Sequence, residues 1–300
     1  LAVVACSPQI PDQIIRWNGD HWRTVAYSDT LSLAPEELSP AEAVTWQSLD
    51  GEIVHGFYYA PSNQAWTSSG TPPLIVYPHG GPNSQSVMDF PRHTPFFTSR
   101  GYAWLMVNYR GSSGYGRSYL TRLYGQWGNL DTQDAVSGAM AMVQRGLADG
   151  KRMAIFGGSA GGFTVLNALI QHPEVFKAGI ALYPVTNLFT ADLETHKFES
   201  RYTEKLCGVL PDAADKYKAW SPVFNAGAIK AALAIFHGTD DKAVAPSQSQ
   251  EIAARLREKG VPHLFKLYEG EGHGFRKPET LLDLYAQIER FLTENLLFAP

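Results

Sequence analysis

Short apolar runs alternate with longer amphipathic stretches along most of this chain, and this alternation constrains the fold more than any other feature. The runs are four to seven residues long and are bounded by Gly or Pro. Such runs are typical of strands that are buried on both faces of a parallel sheet. Repeated strand and helix units therefore predict an α/β fold, with a mostly parallel central sheet and helices on both faces. The predicted strands are Pro73–His79, Ala103–Asn108, Met153–Phe156, Gly179–Tyr183, Ala232–Phe236 and His263–Leu267.

The stretches between these runs carry apolar residues at helical spacing. Over Asp131–Leu147 this spacing places Val136, Met140 and Val143 on one face, which we expect to pack against the sheet. Gly260 ends a second helical stretch, as glycine commonly does at the end of a helix. The further predicted helices are Gln248–Lys259 and Leu281–Leu292.

The beginning of the chain has a different pattern, typical of β-structure. Leu1–Cys6 is apolar but too short for a signal core and has no basic residues before it, so we expect a buried β-strand. Ile14–Trp17 and Trp22–Tyr27 flank an Asn18-Gly19 pair and predict a β-hairpin. We interpret this region as the last strands of an all-β module whose remainder lies upstream.

A proline-containing stretch, Ser32–Glu42, follows and is typical of a linker. Two more strands are predicted after it, at Val44–Ser48 and Ile53–Ala60. We therefore divide the chain into β-strands and linker over residues 1–38 and the α/β domain over residues 39–300.

Composition excludes several other classes of protein. The 25 basic and 29 acidic residues give a net charge of −4 with no basic block, which argues against nucleic acid or an anionic membrane surface as a partner. No apolar run approaches the roughly 20 residues that span a bilayer, and we expect a cytoplasmic protein. Two cysteines, interpreted as free thiols although one disulfide remains an alternative, rule out a disulfide scaffold and a four-cysteine zinc site.

A Gly-x-Ser-x-Gly pattern centred on Ser159 follows the strand at Met153–Phe156 and precedes a helix-compatible run. In this setting the pattern predicts a sharp turn that raises the serine hydroxyl above the sheet, at a helix N-terminus that favours a developing oxyanion. The glycines are required because a Cβ would clash with the neighbouring strand and helix. The alternative is a phosphate-binding loop, but the Gly-Lys-Ser/Thr ending of such a loop is missing.

A serine nucleophile needs a base in contact with its hydroxyl, and the base needs a carboxylate that orients it. Asp240 and Asp241 follow the strand at Ala232–Phe236, and on chemistry alone either can serve. His273 lies in a glycine-framed segment after the strand at His263–Leu267. The carboxyl ends of strands are where open α/β sheets bind ligands, so we favour His273 and interpret His237 as a loop-packing residue.

Oxyanion donors are expected from the strand that runs into His79-Gly80-Gly81, where glycine allows close approach of the backbone to a substrate oxygen. We assign the backbone N–H groups of Gly81 and Ala160, with Gly80 as the alternative to Gly81.

Six segments together resemble the catalytic domain of the prolyl oligopeptidase family, on its acylaminoacyl-peptidase and dipeptidyl-aminopeptidase-like bacterial branch. The resemblance implies the α/β-hydrolase fold and places the orienting carboxylate at Asp241 rather than Asp240. It also implies that the β-strands at the start belong to a β-propeller that gates the active site. The segments are HGGP at 79–82, VNYRGSSGYG at 107–116, WGNLDTQD at 127–134, GGSAGG at 157–162, HGTDDKAV at 237–244 and GEGHGFRKPE at 270–279.

Several residue roles follow from the resemblance. Arg110 and Asp134 are expected to form a structural pair between two loops, with substrate binding by Arg110 as the alternative. Independently of the resemblance, the position of Asp131 before a predicted helix predicts a helix cap. His79 stands where some branches have a tyrosine oxyanion donor, which favours two backbone donors here. Ala243 replaces a polar side chain that holds the substrate carbonyl in the dipeptidyl-peptidase branch. The residues expected to line the substrate pocket are Val185, Leu188, Phe198, Tyr202 and Val244.

The resemblance implies a serine peptidase that needs no metal or other cofactor and hydrolyses short peptides or N-acyl-aminoacyl amides through an acyl-enzyme. Because the expected pocket residues include no carboxylate, an apolar or aromatic residue should be preferred before the scissile bond. A carboxylesterase or small-molecule amidase is the first alternative, and a non-catalytic interaction module is the second. Expected partners are the peptide substrate, the propeller in cis and a second copy of the chain.

Overall fold

The computed structural model describes residues 1–28, 37–65, 67, 69–90, 93–194 and 201–298, and its strands form a three-stranded and an eight-stranded sheet. The strands are β1 (Ala2–Ser7), β2 (Ile10–Trp17), β3 (Trp22–Tyr27), β4 (Glu42–Gln47), β5 (Ile53–Tyr59), β6 (Leu74–Pro78), β7 (Ala103–Asn108), β8 (Met153–Gly158), β9 (Ala178–Leu182), β10 (Ala232–Gly238) and β11 (His263–Tyr268). The helices are α1 (Thr94–Thr98), α2 (Arg117–Thr121), α3 (Leu130–Gln144), α4 (Ala160–Gln171), α5 (Leu188–Glu194), α6 (Tyr202–Cys207), α7 (Ala214–Trp220), α8 (Pro222–Asn225), α9 (Pro246–Glu258) and α10 (Pro278–Leu292), with a 3₁₀ turn at Ala226–Ala228 and a π turn at Thr293–Leu297.

The large sheet has the order β11-β10-β9-β8-β6-β7-β5-β4. All neighbours from β7 to β11 in this order pair in parallel, whereas β5 pairs antiparallel with both β4 and β7. The parallel strands are those predicted from the apolar runs, and their carboxyl ends meet at one edge of the sheet. This edge holds the candidate site, and the prediction of an α/β fold with a mostly parallel sheet is confirmed.

The two faces of the large sheet are both covered. Alternate residues of one strand enter different cores: Leu105 packs in the core under α3, α4 and α9, while Trp104 packs in the core under α1 and α10. Strands buried in this way have no polar face, because both sides lose contact with water. This explains why they appear in the sequence as continuous apolar runs rather than alternating ones.

The helices over Gln248–Lys259 and Leu281–Leu292 are present, as α9 and α10. The predicted face of α3 is wrong in one respect, because Met140 is 41% exposed whereas Met142 is fully buried. Small residues such as Ala135 and Ala139 occupy the contact with the sheet, and the larger methionine at 140 turns outward. Asp131 is not a cap either: it lies inside the first turn of α3, which follows Asn129.

The three-stranded sheet pairs β1 with β2 and β2 with β3, all antiparallel, and includes the predicted hairpin. The expectation that the first strand is buried is wrong, because Val4 is 72% exposed and Val25 on β3 is 62% exposed. A sheet of three strands buries apolar side chains only where another layer covers it, and these side chains are not covered by the described residues.

Residues 29–36, which include the first five residues of the expected linker, lie outside the described residues. Cys6 is exposed, Cys207 is buried, and both are free thiols. None of the helices within the described ranges is both long enough and apolar enough to span a bilayer.

Candidate active site

Ser159 lies in the tight turn between β8 and α4, with backbone angles of φ 56° and ψ −121°. This is strained for a residue with a side chain. The turn is held on both sides, since the Ser159 N–H donates to the Leu182 carbonyl (2.9 Å) and the Ser159 carbonyl accepts from the Phe163 N–H (3.0 Å). The neighbouring strand β9 and the first turn of α4 thus fix the serine at the carboxyl edge of the sheet.

Two glycines make this turn possible. A Cβ on Gly157 would lie 2.6 Å from the backbone of Gly161, and a Cβ on Gly161 would collide with the Pro78 carbonyl at the end of β6. Real Cβ atoms do not approach backbone atoms this closely, so no larger residue fits without moving the strand or the helix. The Gly-x-Ser-x-Gly pattern is therefore a packing requirement of this turn.

The structure brings Ser159, His273 and Asp241 together, although they are far apart in the sequence. The Ser159 hydroxyl donates to His273 Nε2 (2.9 Å), and His273 Nδ1 donates to Asp241 Oδ2 (2.8 Å). The Asp241 side chain is fully buried, and the imidazole of His273 is 30% exposed. Asp240 does not contact His273 and instead accepts a hydrogen bond from the Thr239 hydroxyl (3.1 Å).

Asp241 is buried but well supplied with donors. Its Oδ1 accepts from the backbone N–H groups of Ala243 (2.8 Å) and Val244 (3.0 Å). Burial by itself raises the pKa of this carboxyl, but hydrogen bonds from His237, His273 and the Val244 N–H outweigh it and hold the pKa of Asp241 well below its usual range. The group is therefore ionised at neutral pH, as an orienting carboxylate must be.

His237 is a neighbour of the triad whose contact with Asp241 sequence reasoning missed. It is fully buried, and its Nε2 lies 3.2 Å from Asp241 Oδ2 and 3.0 Å from the Val244 carbonyl. Both neighbours are oxygen acceptors, so Nε2 carries the hydrogen and Nδ1 accepts from the Ser249 hydroxyl (2.7 Å). The interpretation of His237 as a loop-packing residue is thus incomplete, because its Nε2–H, which donates to the Val244 carbonyl, also lies beside Asp241 Oδ2.

The expected oxyanion donors, Gly81 and Ala160, line the same cavity as Ser159 and His273. Within the described part of the chain neither backbone N–H has an acceptor. Gly81 has a φ of 128°, which favours glycine, and a Cβ there would lie 2.9 Å from Ser84.

His79 does not serve as an oxyanion donor. It is buried, and its two ring nitrogens contact the Gly80 carbonyl and the Ser112 hydroxyl, both at 2.7 Å. Burial lowers the pKa of His79 to about 4, so the ring is neutral at physiological pH. Both ring nitrogens are therefore engaged inside the loop, and His79 has no free donor for a substrate.

The cavity at Ser159 has a volume of about 460 Å³. Val185, Tyr202 and Val244 line it, as expected, and Tyr77, Trp127, Tyr183 and Gln248 were not anticipated. Leu188 is not in the wall: its side chain is fully buried in the core at the start of α5, where its N–H donates to the Ser221 hydroxyl (2.9 Å). Phe198 lies outside the described residues.

Arg110 and Asp134 form the expected pair beneath this edge of the sheet. The Arg110 side chain is 2% exposed, and its guanidinium donates to Asp134 Oδ1 (2.7 Å) and to Asp50 (2.5 Å). The Arg110 backbone N–H also donates to Asp134 Oδ2 (2.7 Å). These bonds tie the loop after β7 to the beginning of α3, which is a structural role.

The fold and this constellation define the class of the protein. A mostly parallel sheet with helices on both faces, and a serine in a strained turn between a strand and a helix, is the architecture of the α/β hydrolases. A family model described as the prolyl oligopeptidase family matches residues 88–298. The chain belongs to this family, and the resemblance seen in the sequence is confirmed.

Similar proteins include peptidases from bacteria and plants. The chain is 29% identical over 282 residues to dipeptidyl aminopeptidase BIII of Pseudoxanthomonas mexicana, covering 91% of this chain and 41% of that protein. It is 31% identical over 242 residues to an acylamino-acid-releasing enzyme of Arabidopsis thaliana, covering 77% of this chain and 31% of that protein.

A puromycin-hydrolyzing peptidase of Mycobacterium tuberculosis has a similar structure, with a TM-score of 0.95 and 34% identity over all of this chain and 46% of that one. The chain thus spans less than half the length of each of these proteins.

Proposed function

We propose that this chain is the catalytic part of a serine peptidase that hydrolyses short peptides or N-acyl-aminoacyl amides. The observation that carries the proposal is the unbroken series of hydrogen bonds from Ser159 through His273 to Asp241, at 2.9 and 2.8 Å. Both distances lie within the range needed for proton transfer. Membership of the prolyl oligopeptidase family supports the same conclusion.

The tautomer of His273 follows from its partners. Asp241 is ionised and can only accept, so Nδ1 carries a hydrogen and Nε2 is left to accept the proton of Ser159. Ser159 Oγ then attacks the substrate carbonyl, and His273 gives the proton to the leaving amine. Water takes the place of the amine and hydrolyses the acyl-enzyme by the same route.

The backbone N–H groups of Gly81 and Ala160 are placed to receive the negative charge that forms on the carbonyl oxygen. Both are unpaired among the described residues and both line the cavity at Ser159. Ala160 also begins α4, whose dipole adds to the attraction. One such donor is worth about 3 kcal/mol of transition-state stabilisation in comparable enzymes.

The acyl side of the substrate is expected to carry an apolar or aromatic residue. Val185, Tyr202, Val244 and Trp127 form an apolar wall, and the described lining residues include no carboxylate. A positively charged side chain would find no partner on this wall, because burial of an unpaired charge is costly.

Hydrolysis of small aminoacyl amides is a second candidate, and one comparison favours it. A solved puromycin hydrolase is 34% identical to this chain, with a TM-score of 0.89, and the match covers 96% of this chain and 45% of that one. Comparing kcat/KM on puromycin with that on a dipeptide amide and an ethyl ester of the same O-methyltyrosyl group separates an amidase, a peptidase and an esterase, because only the leaving group then differs.

We also propose that β1–β3 belong to a larger β domain and that the α/β domain begins near residue 39. The side chains of β1–β3 that the described residues leave exposed include Val4, Trp22 and Val25, and exposed apolar patches of this kind mark a surface that another layer covers. Limited proteolysis of the full-length protein followed by mass spectrometry tests whether cleavage concentrates between Tyr27 and Glu42.

The decisive test of the catalytic role is Ser159→Ala. Loss of a nucleophile of this kind lowers kcat by about 10⁴- to 10⁶-fold, and the variant should lose labelling by a fluorophosphonate probe. Its circular dichroism and thermal unfolding should match those of the wild type, because a smaller side chain fits the same turn. A folded Ser159→Ala variant that keeps most of its activity or its labelling refutes the proposal.

A further inference from the structure

The cavity at Ser159 lies across the edge of the sheet, and its walls come from both faces. Val185, Trp127 and Val244 belong to the core under α3, α4 and α9. Tyr77 and Tyr183 pack against the core on the opposite face, under α1 and α10. The site therefore has two different halves, one aliphatic and aromatic, and the other built on two phenol rings, with the serine between them.

Tyr183 lies directly beside the imidazole that handles the proton. Its ring centroid is 4.7 Å from that of His273, and the rings of Phe275 (5.4 Å) and His237 (6.5 Å) are also neighbours. It is also held close to the nucleophile, because a Cβ on Gly158 would lie 3.1 Å from the Tyr183 hydroxyl. The half of the cavity next to His273 is thus the half that contains Tyr183.

Tyr183 occupies this place at a conformational cost. Its φ is +35°, and within the described ranges Ser159 is the only other non-glycine residue with a positive φ. Such strain is found where the surrounding structure imposes a conformation, often at functional sites. Here the Tyr183 N–H donates to the Phe236 carbonyl (2.7 Å), which holds the strained residue at the carboxyl edge of the sheet.

Both phenol hydroxyls are available for a ligand. No group in the described part of the chain hydrogen-bonds to the hydroxyl of Tyr77 or Tyr183, and both side chains line the cavity. Burial raises the pKa of Tyr183, so its phenol remains a neutral donor at physiological pH. A hydroxyl that lines a cavity without a protein partner binds water in the free enzyme and can bind a substrate acceptor instead.

We propose that Tyr77 and Tyr183 form the leaving-group subsite, and that this subsite takes an aromatic amine or a leaving residue with an aromatic side chain and a carbonyl acceptor. The inference rests on the proposed function, because it requires that His273 protonates the leaving amine. That amine must lie within reach of Nε2, and Tyr183 is the aromatic wall beside this ring. Aromatic leaving groups pack favourably on phenol rings, and a carbonyl two bonds from the amine can accept from a phenol hydroxyl.

Acyl transfer to an added amine measures this subsite separately from the acyl side. The enzyme is first acylated by phenylalanine methyl ester, free or N-acetylated, which releases methanol. An added amine then attacks the acyl carbon, the bond to Ser159 Oγ breaks, and the amine proton passes through His273 to the serine. The ratio of the amide product to the hydrolysed acid reports how well the amine occupies the subsite. The amines are phenylalaninamide, alaninamide and 2-phenylethylamine, which has the ring but no carbonyl.

Wild-type enzyme should prefer phenylalaninamide to alaninamide, and Tyr183→Ala should reduce this preference by about three- to tenfold, the range expected for loss of one aromatic pair. Tyr183→Phe and Tyr77→Phe keep the rings, and at least one of them should lower transfer to phenylalaninamide relative to 2-phenylethylamine. These two variants carry the test if Tyr183→Ala does not fold. Val185→Ala is the matched control, since it should change the preference among acyl groups while the ratio between amines stays at the wild-type value.

The outcomes separate the two proposals. If the acyl-enzyme forms but no tyrosine variant changes the ratio between amines, the subsite is wrong and the serine hydrolase mechanism stands. If the Val185→Ala variant changes this ratio as much as the tyrosine variants, the cavity is not divided into two halves and the subsite is wrong. If the Ser159→Ala variant hydrolyses the ester as fast as the wild type, both proposals are wrong.

Discussion

Replacing Asp131 with asparagine should stabilise this protein at neutral pH, although the substitution removes a charged group from two hydrogen bonds. Asp131 is fully buried in the first turn of α3. Its carboxylate accepts from the Gly128 N–H and from the Thr164 hydroxyl, both at 2.6 Å. No cation among the described residues pairs with it. Burial outweighs the two hydrogen bonds and raises the pKa of Asp131 to about 6.

The sign and size of the effect follow from this pKa. The unfolded chain loses the Asp131 proton near pH 4, whereas the folded protein keeps it until about pH 6. Asp131 therefore does not reduce the free energy of unfolding below about pH 4, where it is protonated in both states. The free energy of unfolding falls as the pH rises from about 4 to about 6, and it stays reduced above this range. A difference of about 2 pKa units corresponds to about 3 kcal/mol of unfolding free energy at pH 7.

Asparagine has nearly the same shape and no charge to desolvate. Its amide oxygen can accept from the Gly128 N–H, and its NH₂ can donate to the Thr164 hydroxyl, which in turn can donate to the Ala160 carbonyl at 3.1 Å. Urea unfolding of wild type and Asp131→Asn, compared between pH 4 and 8, should give a difference near zero at pH 4 that grows to about 3 kcal/mol by pH 7.

Asp134→Asn is the matched control, since Asp134 is buried on the same helix but pairs with Arg110. Removing Asp134 leaves the buried Arg110 guanidinium with the half-exposed Asp50 as its ionic partner, so this variant should lose stability at pH 7, by about 3 kcal/mol. A stability difference for Asp131→Asn that does not depend on pH, or a loss at pH 7 that resembles the control, would refute the reasoning.

Two further predictions concern the buried carboxylate of the site. Asp241→Asn should lower kcat by about 10⁴-fold, because it favours the wrong tautomer of His273. Asp240→Asn should keep a kcat within a few-fold of the wild type, as measured by steady-state rates on a dipeptide anilide. The reverse order of the two variants would move the triad to Asp240. His237→Leu should lower kcat by about tenfold or more with little change in KM, because Asp241 loses a donor. His237→Gln can keep an N–H near the same place and should recover most of this loss. Equal losses of kcat in both variants would show that the ring only fills space.

Much of the fold is predictable from the sequence because it depends on local patterns. The strands of the parallel sheet lie within two residues of the apolar runs, since burial on both faces requires an apolar residue at every position. Ser159, His273 and the pair Asp240-Asp241 can be selected because each follows a strand, and the carboxyl ends of parallel strands meet at one edge. Only the resemblance to the family separates Asp241 from Asp240.

What the sequence did not predict depends on contacts between distant residues. The direction of Met140 depends on which small residues of α3 face the sheet, and Leu188 enters the core because α5 begins where Ser221 holds its backbone. The role of Tyr183 cannot be read from its neighbours, because it arises from a positive φ and from a ring contact with a histidine 90 positions further along the chain.

Asp131 and Asp241 together show why His237 is placed beside the triad. Both carboxylates are buried, but Asp131 has two hydrogen-bond donors and its pKa is raised, while Asp241 has donors on every side and its pKa is lowered. Hydrogen bonds therefore outweigh burial at Asp241, whereas burial outweighs them at Asp131. His237 provides one of these donors from four residues before Asp241, and Gly238 allows the close packing there, because a Cβ would lie 2.5 Å from the Glu271 carbonyl carbon. The spacing of histidine, glycine and aspartate, which in the sequence serves only to locate Asp241, thus also brings the ring of His237 to the buried carboxylate.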